Sequence, residues 1–156
     1  SKVTFMTDID FSSLALHDQN HQLFNISSVA SKYLLIYFYP KDMTPGCTVQ
    51  ACKIAESWHD LQALDCSVIG VSRDSVTRHQ KFIDKHNLPF TLLADTDAKL
   101  CQLFGVWTQK SMFGKKYMGI ERSSFLLNNE SKIIKSWRNV KPKEHISLVI
   151  DFIRSL

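Results

Sequence analysis

The stretch YLLIYFYPKDMTPGCTVQACKIAESWHDL, residues 33–61, decides how this chain folds. Residues 33–39 are apolar or aromatic without a break. Such a run suits a strand covered on both faces and is too short to cross a membrane. Pro40 ends it. Pro45 then keeps Thr44 out of the helical region and presets its own φ for a first helical turn, so Gly46 and Cys47 stand where a helix begins. Downstream, Cys47, Ala51, Ile54, Ala55, Trp58 and Leu61 recur at three- and four-residue steps, which predicts one apolar helix face running to residue 61. The unit is strand, loop and helix, with a thiol at the helix start.

That position has chemical consequences. Unpaired N–H groups and a partial positive charge at a helix N-terminus favour an anion, which makes Cys47 a candidate thiolate nucleophile. Cys52, near Glu56 and His59 in sequence, lies about 140° further around the helix, with its Cα roughly 8 to 9 Å from that of Cys47. A disulfide tolerates Cα separations only up to about 7 Å. The two sulfurs can therefore join only if the first turns unwind, which would couple oxidation to local unfolding. Spacing alone leaves Cys52 either a partner or a bystander.

The rest of the chain supplies a frame. Residues 4–26 read as two short strands around a polar turn, His17–Asp18–Gln19–Asn20, and residues 27–32 link them to the central strand. Residues 66–72, CSVIGVS, are another buried strand, and Asp74 is placed to cap a helix reaching His86. Residues 90–94 predict a short strand and residues 95–104 a short helix stopped by Gly105. Residues 107–120 lack a period and read as a loop. Two strands, 123–127 and 133–137, flank the turn at residues 128–131, and Pro142 opens a last helix with Ile146, Val149, Ile150 and Ile153 on one stripe. Parallel βαβ connections followed by an antiparallel hairpin describe an α/β protein: a mixed sheet with helices on both faces and an N-terminal β-hairpin.

Composition narrows the function. A chain of 156 residues with 44% hydrophobic residues is expected to form one domain over residues 1–156 with a core that needs no disulfide staples. The formal net charge of +4 is mild and its lysines and arginines are dispersed, so nucleic acid is not indicated. No apolar run approaches a membrane span and no secretory pattern opens the chain, so a cytoplasmic location is expected. The cysteines at 47, 52, 66 and 101 lack paired zinc spacing and are too few for a secreted disulfide framework, which leaves redox chemistry in a reducing compartment. Cys66 and Cys101 read as core residues, and the tryptophans at 58, 107 and 137 as packing residues. The histidines show no metal-ligand spacing, and His79 and His86 are expected in solvent. On composition Arg122 is a surface residue paired with Glu121 or water.

The motif PKDMTPGC followed by TVQAC closely resembles the active-site motif of peroxiredoxins of the bacterioferritin comigratory protein type, the peroxiredoxin Q group. The likeness extends through FTLLAD at residues 90–95, FGVW at 104–107 and RSSFLL at 122–127, and is looser before residue 33. Where that group often carries P-D-Q-x-G in its first turn, this chain has His17 and His21. The resemblance implies a thioredoxin-like fold and a thiol peroxidase acting on hydrogen peroxide and organic hydroperoxides. It implies Cys47 as the peroxidatic cysteine and Cys52 as the resolving one, joined in an intramolecular disulfide. By the same resemblance the Thr44 hydroxyl contacts the peroxide and the Cys47 sulfur, Pro40 shields the pocket, and Arg122 steadies the thiolate. No metal, haem or flavin is called for, the reductant is thioredoxin or glutaredoxin, and a monomer is expected because resolution needs no second subunit.

Two other classes share these features. A thioredoxin-like exchange enzyme would use C-x-x-C, whereas the spacing here is C-x4-C. A redox-switched binding module would use the helix unwinding itself as its signal.

Overall fold

The computed structural model describes residue 10 and residues 14–156, so the part of the expected first strand at residues 4–9 and 11–13 lies outside it. The run at residue 33 becomes β3 (Tyr33–Phe38), and its alternation explains why no polar face was visible. Leu35, Tyr37 and Tyr39 enter one buried cluster, while Leu34, Ile36 and Phe38 enter another on the opposite side of the sheet. β3 pairs in parallel with β4 (Cys66–Ser72), which pairs in parallel with β5 (Thr91–Ala94). On its other edge β3 pairs antiparallel with β8 (Ser123–Asn128), and β9 (Ile133–Trp137) closes that side. The N-terminal hairpin, β1 (Ala15–Asp18) and β2 (Leu23–Asn25), joins antiparallel to β5, giving the order β2-β1-β5-β4-β3-β8-β9. Its turn falls slightly later than expected because Asp18 still belongs to β1, and the Asp18 carboxylate accepts from the amides of Asn20 and Gln22.

Helices cover both faces. The Cys47 helix, α1 (Pro45–Glu56), packs with α3 (Val76–His86) and α5 (His145–Arg154) on the first cluster, and α4 (Lys99–Leu103) lies on the second. The single helix expected through residue 61 is two, because the chain breaks at Ser57 (φ −94°, ψ 9°) before α2 (Trp58–Ala63). Ser75, not Asp74, caps α3: its hydroxyl accepts from the Arg78 amide. Asp95 does hold the start of α4, its carboxylate accepting from the Leu100 and Cys101 amides. Pro142 sits in a turn ahead of α5 and does not open it. Cys66 and Cys101 are core residues as expected, and burial pushes both thiols up, Cys66 to about 12.

One segment departs more. Residues 107–120 are a two-stranded ribbon, β6 (Trp107–Met112) and β7 (Lys115–Ile120), turning through Phe113 (φ 52°) and Gly114 (φ 78°). Two central residues at positive φ make the tight turn that matches strand twist. The ribbon stands largely in solvent and carries polar residues on both faces, so it lacks the apolar alternation that marks a half-buried strand.

Candidate active site

Cys47 is the third residue of α1, one turn from the carboxyl end of β3, and is buried with 1% exposure. Pro45 occupies the first turn, and the Thr48 amide is the first to find an intrahelical acceptor, the Thr44 carbonyl at 2.9 Å. The amides of Gly46 and Cys47 precede it, where a helix offers its N–H groups outward. Arg122 reaches the same point from the start of β8. Its Nη1 lies 3.5 Å from Cys47 Sγ and donates to Gln50 Oε1 at 2.7 Å. Close approach requires glycine at 46, since a Cβ there would stand 3.3 Å from Arg122 Nη2. Glu121, the partner expected for Arg122, instead binds Arg138 at 2.6 Å. The sequence separation of 75 residues hid this pairing from any local reading.

Pro40 and Arg122 line a cleft of about 420 Å³ together with Lys110, Glu121 and Asn139. Thr44 stands at the N-cap position, extended at φ −81° and ψ 156°, with its hydroxyl donating to the Lys41 carbonyl at 2.8 Å. Cys52 lies on the side of α1 facing α3, and its Sγ is 3.8 Å from His86 Nδ1. Burial, and then the Glu56 carboxylate, push its thiol up, so it stays protonated in the folded helix. All four cysteines are free thiols, and α1 is continuous across Cys47 and Cys52.

Behind the site lies a polar clamp that local sequence did not reveal. His79, expected in solvent, is fully buried because α3 turns Val76, His79 and Phe82 inward at three-residue steps. Its Nδ1 meets Asp42 Oδ2 at 2.6 Å, and its Nε2 donates to the Leu93 carbonyl at 2.9 Å. Asp42 also accepts from the Tyr39 hydroxyl, and its amide donates to Asp74 at 2.8 Å. Asp74 in turn accepts from Ser72 and Arg78. Among the described residues, Asp42, Asp74 and His79 are the group close enough to share a metal ion. Their donor atoms are taken up by one another, by Tyr39, Ser72 and Arg78, and by backbone, which reads as a clamp on the loop between Pro40 and Thr44.

The lining residue Lys110 was missed because its segment read as a loop, and Gln50 because a polar residue off the apolar stripe of α1 gives no local sign of burial. His145 was missed as well. It is fully buried, its Nε2 sharing a 2.6 Å hydrogen bond with the Ser124 hydroxyl, and burial with the nearby Arg122 charge lowers its pKa to about 3.

Comparison with known proteins bears on this arrangement. The AhpC/TSA family model matches residues 9–136. Peroxiredoxin Bcp of Bacillus subtilis is 47% identical over 143 residues, covering 92% of this chain and 91% of its own. Peroxiredoxin Bcp of Escherichia coli is 39% identical over 140 residues, covering 90% of each chain. Among solved structures, peroxiredoxin Q of Xanthomonas campestris superposes with a TM-score of 0.89 at 35% identity, over 96% of this chain and 97% of its own. The thioredoxin-like mixed sheet, the helix-start thiol and these matches agree: the chain belongs to the AhpC/TSA family, as a thiol-dependent peroxidase of the Bcp, or peroxiredoxin Q, type.

Proposed function

We propose that Cys47 is the peroxidatic and Cys52 the resolving cysteine of a peroxidase recycled through an intramolecular disulfide. The observation that carries the reading is the guanidinium of Arg122 at 3.5 Å from a sulfur set in the first turn of α1. A thiolate there attacks the terminal oxygen of a hydroperoxide in line with the O–O bond. The S–O bond forms, the O–O bond breaks, sulfur is oxidised to sulfenic acid, and the remaining oxygen leaves as an alcohol or water after taking a proton. Arg122 and the outward amides at the helix start stabilise the charge moving onto the oxygens. A turn of the Thr44 hydroxyl from the Lys41 carbonyl toward the sulfur gives the peroxide a further polar contact, and Pro40 limits water at the cleft.

The Cys52 thiol then attacks the sulfenic sulfur, releasing water, after the start of α1 unwinds. Thioredoxin or glutaredoxin reduces the disulfide, and the protein acts as a monomer. A structure of the bacterioferritin comigratory protein of Xanthomonas campestris, studied for alkyl peroxide reduction, aligns at 34% identity with a TM-score of 0.89, which supports organic hydroperoxides as substrates. The test is peroxide consumption coupled to a thioredoxin system, with mass mapping of the disulfide formed after one equivalent of peroxide. Cys47→Ser is expected to abolish turnover. Cys52→Ser is expected to keep the first oxidation, lose recycling and accumulate over-oxidised Cys47. Undiminished turnover in Cys47→Ser refutes the reading.

A further inference from the structure

The cleft beside Cys47 carries a second cation that the mechanism above does not use. Lys110 projects from β6 next to β7, where its cross-strand partner is Tyr117 and the pair two positions along is Thr108 with Gly119. A Cβ at Gly119 would stand 3.1 Å from Lys110 Cδ and 3.3 Å from Cε, so the glycine leaves the channel in which the lysine stem lies across the ribbon. The amino group is tied down at the end of that channel, donating to the Ile120 carbonyl at 2.5 Å. One acceptor occupies one of the ammonium's donors and leaves the others for a ligand.

Charge in the cleft is unbalanced. Lys110 and Arg122 both line it, and the carboxylate that lines it, Glu121, is already held by Arg138 at 2.6 and 3.0 Å and by Ser123 at 2.8 Å. Thr108, Gln109 and Asn139 add neutral polar groups. Such walls solvate an anion better than an alkyl chain. Burial, followed by the Arg122 charge, pulls the Lys110 amine below the usual lysine range, while Cys47 and Glu121 act in the opposite sense.

We propose that Lys110 is a substrate-binding cation and that it selects hydroperoxides bearing a carboxylate close to the –OOH group. The inference rests on Cys47 being the peroxidatic cysteine. Arg122, against the sulfur, receives the peroxide oxygens, and Lys110, further along the same cleft, receives the carboxylate. The reaction is unchanged: the thiolate takes the terminal oxygen, the O–O bond breaks, and the hydroxy acid departs with a proton from solvent.

The experiment measures the first-turnover rate of Cys47 oxidation, by stopped-flow tryptophan fluorescence at low ionic strength, for two probes of similar shape. These are tert-butyl hydroperoxide and 2-hydroperoxy-2-methylpropanoate. Lys110→Met is expected to slow the carboxylate probe by about fivefold more than the neutral probe, the effect of a partly exposed ion pair. Lys110→Arg is expected to restore most of the loss, and Gly119→Ala, which crowds the lysine stem, to reproduce the selective loss. Salt is expected to erode the wild-type preference for the carboxylate probe. A Lys110→Met variant that slows both probes equally, or neither, overturns the proposal while leaving the peroxidase intact. A wild-type protein whose Cys47 is oxidised by neither probe overturns the peroxidase reading and this inference with it.

Discussion

Replacing His145 should change how the protein responds to acid. In the folded state the imidazole is fully buried beneath Arg122, Nδ1 has no partner among the described residues, and the pKa falls to about 3. Burial is the first cause and the Arg122 charge the second. In the unfolded chain the same ring titrates at its ordinary value of 6.5. Because the folded value is depressed and the group is a base, the native state binds fewer protons. The sign follows: stability is unaffected above pH 6.5 and falls as pH drops from 6.5 toward 3, where unfolding is rewarded by protonation. At about 1.4 kcal/mol per pH unit, this residue alone costs about 2 kcal/mol at pH 5 and about 4 kcal/mol near pH 3. That is a large part of the roughly 5 to 15 kcal/mol that holds a typical domain together. Urea unfolding of wild type and His145→Gln at several values between pH 7 and pH 4 separates the effect from other titrating groups, which both proteins share. The variant is expected to start less stable at pH 7, through the lost packing, and to lose less stability on acidification. Parallel pH profiles would refute the argument, as would an NMR titration showing that the wild-type imidazole protonates near its ordinary value.

Two further outcomes test the frame around the site. Asp42→Ala strands the buried His79 ring and the Tyr39 hydroxyl together, and thermal unfolding should report a loss of about 3 to 5 kcal/mol, with a smaller loss in Asp42→Asn. Gly70→Ala places a Cβ 2.7 Å from Leu92 Cδ2 and 2.9 Å from Tyr37 Cε1 in the middle of β4, which should cost about 1 to 3 kcal/mol in urea unfolding without altering the order of the sheet.

The parts of this fold that were legible in the sequence are those whose burial is local and periodic. The apolar run of β3 announced a strand covered on both sides, and Pro40 and Pro45 fixed where the chain turns into α1. Cys47 followed from that geometry alone. Arg122 did not, because its meeting with the sulfur is made by β8 pairing beside β3; composition and periodicity left it on the surface, and only the likeness of RSSFLL at residues 122–127 to the family motif pointed to it. His79 failed for a related reason. Its helix is rich in charged side chains, and the carboxylate that justifies burying an imidazole is supplied from 37 residues away. The β6–β7 ribbon failed differently. A strand pair exposed on both sides has no reason to alternate, and the Phe113–Gly114 turn was the sole local mark of it.

On the proposed mechanism the start of α1 has to be stable enough to present Cys47 and loose enough to surrender it. Upstream, the loop is fastened to α3 through Asp42, whose carbonyl accepts from Arg78 at 3.1 Å and whose carboxylate meets His79. Downstream, Ala51 and Ile54 are fully buried in the first cluster. The proposed disulfide between Cys47 and Cys52 would be formed by the turns between these anchors, at a cost of a few intrahelical hydrogen bonds worth about 1 kcal/mol each. Gln50 enters that cost with both signs. It is fully buried, Arg122 satisfies its Oε1, and its Nε2 has no partner among the described residues. An unpartnered buried amide carries a penalty of about 1 to 3 kcal/mol that is recovered when the group reaches water. Unwinding this turn would return that penalty at the same moment that it breaks the charge-assisted Arg122 contact, worth about 1.5 to 3 kcal/mol, so the two terms offset.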